Sequence, residues 1–202
     1  MEVANDGDVT ALAGAMSLKA NGMLGVAMGS SEAAGYIDPN GCMTGWLNEL
    51  AFAPVDMNLK AVADEWSCDL GVGASYFSQQ AVNKLLPAAG ISLPDMGIPE
   101  QLKEVQALMA KGDPRAAKIY ETIGIYLGYT IPHYAEFYAF SHMLILGRVT
   151  TGQGGDIVLS HAREVLAKCF PEVAAKVTLH VPDEKSRRIG QAVAAASLPP
   201  IK

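Results

Sequence analysis

Apolar residues in the first part of the chain come in short runs bounded by glycine rather than at helical spacing. "GMLGVAMG" (Gly22–Gly29) and "AAGYID" (Ala33–Asp38) are two such runs, predicted to pair as strands. "DPNG" (Asp38–Gly41) supplies a strong turn signal after them. Before them, "DVTALAGAMSLK" (Asp8–Lys19) has helical composition, with Asp6 or Asp8 available as an N-cap. Residues 42–70 mix apolar and acidic positions without a period and are expected to wander.

Helical spacing takes over downstream. A helix is predicted at Tyr76–Leu86, stopped by Pro87, and another from Pro99 to Gly112, with proline at its start and glycine at its end. The longest helix runs from Pro114 towards Tyr138. Ile119, Ile123, Tyr126, Leu127 and Ile131 form its buried face, and Pro132 should kink or end it. "HMLILG" (His142–Gly147) is apolar throughout and reads as a buried parallel strand. After the loop "RVTTGQGG" comes a helix over Asp156–Lys168, with Ile157, Val158, His161, Val165 and Leu166 on one face. A strand "KVTLHV" and a last helix over Ser186–Leu198 complete the order. This is a mixed α/β domain with one central sheet, spanning 1–202 with a helical insertion at about 76–140.

With 202 residues, half of them hydrophobic and only 18% charged, the chain can bury a substantial core. The net charge of −6 and the absence of a basic stripe argue against nucleic acid as a partner. No apolar run reaches the roughly 18–20 residues that span a membrane, so no membrane partner is expected. Three scattered cysteines, Cys42, Cys68 and Cys169, point away from a disulfide framework and towards a reducing, cytoplasmic setting. His133, His142, His161 and His180 lack ligand spacing and read as structural.

Chemistry concentrates at the turn between the first two strands. Gly29, Ser30 and Ser31 let backbone and hydroxyl donors approach an anion closely, although a plain tight hairpin has the same composition. The order "ANDGDVTALAG", "GVAMGSSEAAGYIDPNG", "GWLNELAF", "LILGRVTTGQGG" and "GQAVAAA" resembles the carboxy-terminal lobe of ROK-type sugar kinases from about Glu2 to Leu198. These kinases belong to the actin/hexokinase-like superfamily, so the resemblance implies a ribonuclease-H-like sheet flanked by helices. It implies ATP and Mg as cofactors, and a sugar and a nucleotide as small-molecule partners.

Under this resemblance Asn5 and Asp6 match the family's Asn-Asp pair, with Asn5 on the sugar and Asp6 as the base that takes the sugar hydroxyl proton. Asp6 equally suits a helix cap. Gly29, Ser30 and Ser31 stand at the second phosphate loop, followed by Glu32 where the family has a small residue. A carboxylate beside a phosphate is repulsive unless a metal ion lies between them. Glu49 matches a sugar-contacting glutamate, with Phe52 in place of the companion histidine and Ala74 in place of a second glutamate. As a plain surface carboxylate Glu49 needs no ligand. Of the family's zinc cluster only Cys68 remains, which also suits a small core position. A zinc site needs about four ligands, so no zinc or other metal ligand set is expected. Gly147, Gly152, Gly154 and Gly155 match the adenosine-side turn, with Arg148 in place of a glycine.

No Asp-x-Gly-Gly-Thr phosphate loop precedes these motifs; the nearest, "CDLGVG" (Cys68–Gly73), follows the polar "ADEWS" rather than a strand. The expectation is therefore one lobe of a sugar kinase, completed by a missing amino-terminal lobe. Alternatives are a degenerate sugar- or nucleotide-binding module for regulation or assembly, and a fragment that forms a homodimer through exposed apolar surface.

Overall fold

The computed structural model describes residues 6–182. Asn5 and the helix predicted over Ser186–Leu198 lie outside them. Helix α1 (Asp6–Leu18) leads into the antiparallel hairpin of β1 (Met23–Met28) and β2 (Glu32–Ile37). After an irregular stretch come α2 (Gln79–Leu85), α3 (Ile98–Ala110) and α4 (Pro114–Ala135), then β3 (His142–Leu146), α5 (Gln153–Cys169), the short α6 (Pro171–Ala174) and β4 (Thr178–His180). The sheet order is β2-β1-β3-β4, with β3 parallel to both β1 and β4. The fold is thus α/β, a mixed four-stranded sheet flanked by helices.

Most element boundaries agree with the hydrophobic pattern. Helix α2 begins later than predicted because Ser78 caps it, its Oγ accepting the Gln80 N–H at 3.1 Å. Pro132 sits inside the last turn of α4, which continues only to Ala135. Asp6 is the first helical residue of α1 and Asp8 is already inside the helix, so Asp8 is not the cap. Residues 42–70 indeed lack long elements: a 3-10 turn at Leu50–Phe52 and the isolated bridges Ile37↔Met43, Pro54↔Val72 and Ala63↔Leu70 are their regular features.

The two faces of the sheet are unequal. Leu24, Val26, Met28, Met143 and Ile145 face the large core with α2–α5, built around Phe77, Tyr120, Ile123, Leu127 and Tyr134. Met23, Ile37, Leu144 and Leu146 face α1 with Ala11 in a smaller core. On this second face the partners Gly25 and Gly35 form a notch without side chains. Helix α1 presses into it: a Cβ on Gly35 would stand 2.1 Å from the Gly7 carbonyl oxygen, and one on Gly7 2.0 Å from that of Ala34. The notch therefore fixes where α1 starts, over the outer strand.

Candidate functional site

Beyond the start of α1, the same face continues with the paired alanines Ala27 and Ala33, whose short side chains leave a low floor. This floor opens into a cleft of about 280 Å³ lined by Ala27, Gly29, Ser30, Ser31, Glu32, Ala33 and Ala34, together with Asn48 and Glu49. The structure thus brings the hairpin tip and Glu49 into one cavity. The backbone of Asp6 lies next to Gly7, which packs on Ala34, a cleft residue. Ala34 is three strand steps from Ser31, about 10 Å at the usual rise.

Each wall has a local cause. At the tip, the Gly29 N–H donates to the Ser31 carbonyl at 2.9 Å, and the Gly29 carbonyl accepts from the Gln79 N–H at 2.9 Å. The tip is therefore tied to the start of α2, and the Gly29 N–H is spent inside the turn rather than left for an anion. The exposed Ser30 and Ser31 present their hydroxyls instead. Glu49 is exposed and precedes the 3-10 turn, its carbonyl accepting the Phe52 N–H at 3.1 Å. Its neighbour Asn48 is buried and donates Nδ2–H to Asp8 Oδ1 at 3.2 Å, fastening the Glu49 loop to α1. Burial raises the Asp8 carboxyl above the usual carboxylate range, opposed by the bonds from Asn48 and the Tyr36 backbone.

Glu32 departs from the expectation that it crowds a phosphate. Its side chain belongs to the large-core face and is 4% exposed, with Oε1 3.5 Å from the Tyr134 hydroxyl and Oε2 against Gly73. Strand alternation sends it away from the cleft floor formed by Ala33. Burial pushes this carboxyl up to about 8, so it is mostly protonated at neutral pH.

The glycine-rich loop after β3 stands at the carboxyl end of the parallel pair β1/β3. Gly147 has φ +113°, and a Cβ there would meet the Met28 carbonyl at 2.4 Å; Val149 N–H donates to the same carbonyl at 3.4 Å. Gly152 is exposed at φ +64° with open space around it. Gly154 and Gly155 are buried: side chains there would strike Tyr120 and the Thr150 carbonyl, so packing alone accounts for them. Arg148 is exposed, and its carbonyl accepts from Gln106.

Cys68 is exposed, not a core residue, and has φ +64°. Its turn is organised by buried Asp64, whose Oδ2 accepts the Ser67 N–H at 2.9 Å and the Trp66 N–H at 3.1 Å. These bonds hold the Asp64 carboxyl below the usual range. Among the described residues no three His, Cys, Asp or Glu side chains group as metal ligands. His142 Nδ1 and His180 Nε2 meet at 3.1 Å, a pairing between neighbouring strands that spacing did not reveal. Sequence reading also missed Asp8 and Asn48. Their only local signals are the acidic repeat "DGD" and the position of Asn48 next to Glu49.

No family model and no curated protein matches this sequence. Solved structures do match. A ROK family transcriptional regulator, described as a homologue of the E. coli MLC protein, is 19% identical with a TM-score of 0.73, covering 96% of this chain and 51% of that one. A ROK family glucokinase from Streptomyces griseus, in complex with glucose and AMPPNP, is 17% identical with a TM-score of 0.69, covering 95% and 66%. A ROK hexokinase from Thermus thermophilus is 16% identical with a TM-score of 0.67, covering 95% and 63%. The chain therefore has the fold of one lobe of the ROK proteins and spans between half and two thirds of their length. Among the described residues no helix is long and apolar enough to cross a membrane.

Proposed function

We propose that the tip cleft is half of a sugar-phosphorylating site of the ROK type, taking a sugar at Glu49 and nucleotide phosphates at the hairpin tip. The observation that carries this reading is the meeting of Glu49, Ser30 and Ser31 around one cavity beside the start of α1. ATP with Mg would supply the transferable phosphoryl group and offset its charge. The residues present suit phosphate: the tip offers two hydroxyls, and the one carboxylate beside it in sequence, Glu32, is turned into the core. Glu49 would accept hydrogen bonds from sugar hydroxyls, which fixes the reacting oxygen. Asp6 would take the proton of that hydroxyl as its oxygen bonds to the γ-phosphorus and the bond to ADP breaks. Gly152, with open space around it, would let the nucleotide pass close to the backbone at the start of α5.

A second reading, a binding module without turnover, is favoured by Phe52 and buried Ala74 at places where the resemblance has a histidine and a glutamate. Likeness to a ROK regulator supports it as well. Calorimetric titration of the full chain with glucose and with AMPPNP–Mg, alongside an ATP–Mg turnover assay, separates the two. Under the kinase reading both ligands bind, Glu49→Gln weakens glucose about tenfold, the chain by itself shows no substantial turnover, and Asp6→Asn abolishes the turnover of the completed cleft while sparing binding. Binding of one ligand without the other, or no turnover even with the cleft completed by a partner lobe, gives the second reading. No binding of either ligand removes both.

A further inference from the structure

A second cavity of about 290 Å³ lies on the α2–α4 side of the sheet and shares no lining residue with the tip cleft. Its charged lining is Asp56, Lys84 and the exposed Lys60, with Tyr76, Tyr126, Leu85 and Ile123 supplying aromatic and aliphatic surface. Asp56 Oδ2 accepts the Tyr76 hydroxyl at 2.7 Å and the Tyr126 hydroxyl at 3.3 Å, and Oδ1 accepts the Asn58 N–H at 2.9 Å. All three donors are neutral, and they hold the carboxyl below its usual range, so it is an anion. The two tyrosine rings meet edge to face at 4.8 Å, which fixes both hydroxyls.

Lys84 is held in the same manner by neutral acceptors, with Nζ 3.0 Å from Ser75 Oγ and 3.3 Å from the Ala63 carbonyl. Its third N–H has no acceptor among these contacts. The Asp64 carboxylate, which interacts electrostatically with Lys84, already receives the Trp66 and Ser67 amides. Lys84 and Asp56 do not pair with each other: the ion pairs among the described residues are Arg115–Asp113, Lys118–Glu121, His161–Glu164 and Lys168–Glu164. One anion, Asp56, and two cations, Lys84 and exposed Lys60, thus line one small cavity, with Asp56 and Lys84 each held by neutral hydrogen bonds and with aromatic and aliphatic surface beside them.

We propose that this cavity binds a small zwitterion of the α-amino-acid class, its ammonium group on Asp56 and its carboxylate on Lys84. A ligand with both charges meets Asp56 through its ammonium while its carboxylate meets Lys84, with exposed Lys60 adding to the attraction for that carboxylate. The volume, just below the usual range of about 300–1,000 Å³ for ligand pockets, suits a molecule of that size. Ile123 and Leu85 give an apolar side chain somewhere to rest. The proposal does not depend on the sugar-kinase reading of the tip cleft.

The test is titration of the full chain with glycine, L-alanine, L-serine and L-valine, each against methylammonium, acetate and glucose, by calorimetry. At least one amino acid should saturate while the single-charge probes do not. Asp56→Asn and Lys84→Met, which keep shape and stem, should each weaken it tenfold or more, and Tyr126→Phe a few-fold. In the unaltered chain, amide resonances of Asn58, Tyr76 and Lys84 should shift while those of Ser30 and Ser31 stay still, a readout that needs no variant to fold. Failure of every amino acid to saturate at tens of millimolar overturns the proposal. So does equal binding of acetate or methylammonium, a glucose-induced shift of these same amides, or affinity unchanged in both charge variants.

Discussion

Glu32 is the residue where the fold and the charge conflict most openly. Its carboxyl titrates near 8 in the folded chain against 4.5 for the unperturbed group. Between these values the native state keeps a proton that the unfolded state has released, so stability is full below about pH 4.5 and is lost as pH rises towards and through 8. The loss between pH 5 and pH 8 is roughly 3–4 kcal/mol, at about 1.4 kcal/mol per unit. Replacing Glu32 with Gln should flatten that slope and make the variant more stable than its parent at pH 8. Urea denaturation at the two pH values checks this; an unchanged slope would show that the carboxyl is not held in the core. The identity of Glu32 is plain in the sequence, but the side to which it points is not. Strand alternation places it opposite Ala33, and only the position of α4 turns that side into a core.

At the scale of elements, α1 is seated by backbone contact at one end and by a side chain at the other. A Cβ on Gly7 would lie 2.0 Å from the Ala34 carbonyl oxygen, which cannot move without breaking the hairpin. On Gly14 the obstacle is Leu144 Cδ2 at 2.6 Å, the end of a flexible side chain. Gly7→Ala should therefore destabilise by about 3 kcal/mol, as overpacking against a rigid neighbour does. Gly14→Ala should stay within about 1 kcal/mol of the parent, because the alanine gains helix propensity. Thermal and urea denaturation compare the two. The existence of α1, the hairpin and the parallel strand β3 was legible from period and turn chemistry, since each depends on near neighbours in the chain. The seat of α1 was not, because three glycines far apart in sequence build it. The same holds for α4 on α5, where Gly124 and Gly128 admit Val158 and Val165.

The whole molecule assembles its candidate site from segments that are remote in sequence. Asn48 and Asp8, 40 residues apart, join the Glu49 loop to the first turn of α1. Asn48→Ala should cost about 1 kcal/mol of stability, the usual size of one such bond, yet weaken glucose binding several-fold by freeing Glu49. Calorimetry beside denaturation would detect the split; lost stability with intact affinity would make Asn48 purely structural. What the sequence determined alone was local: strand and helix periods, the turn at Asp38–Gly41, and an order of motifs similar to one kinase lobe. Tertiary structure alone decided which polar groups meet. Glu32 reaches Tyr134 across 102 residues and His142 reaches His180 across 38, while Asp56 and Lys84 come to face one cavity. Spacing along a chain sets which face a side chain occupies, but packing of distant elements sets what stands on the other side of that face.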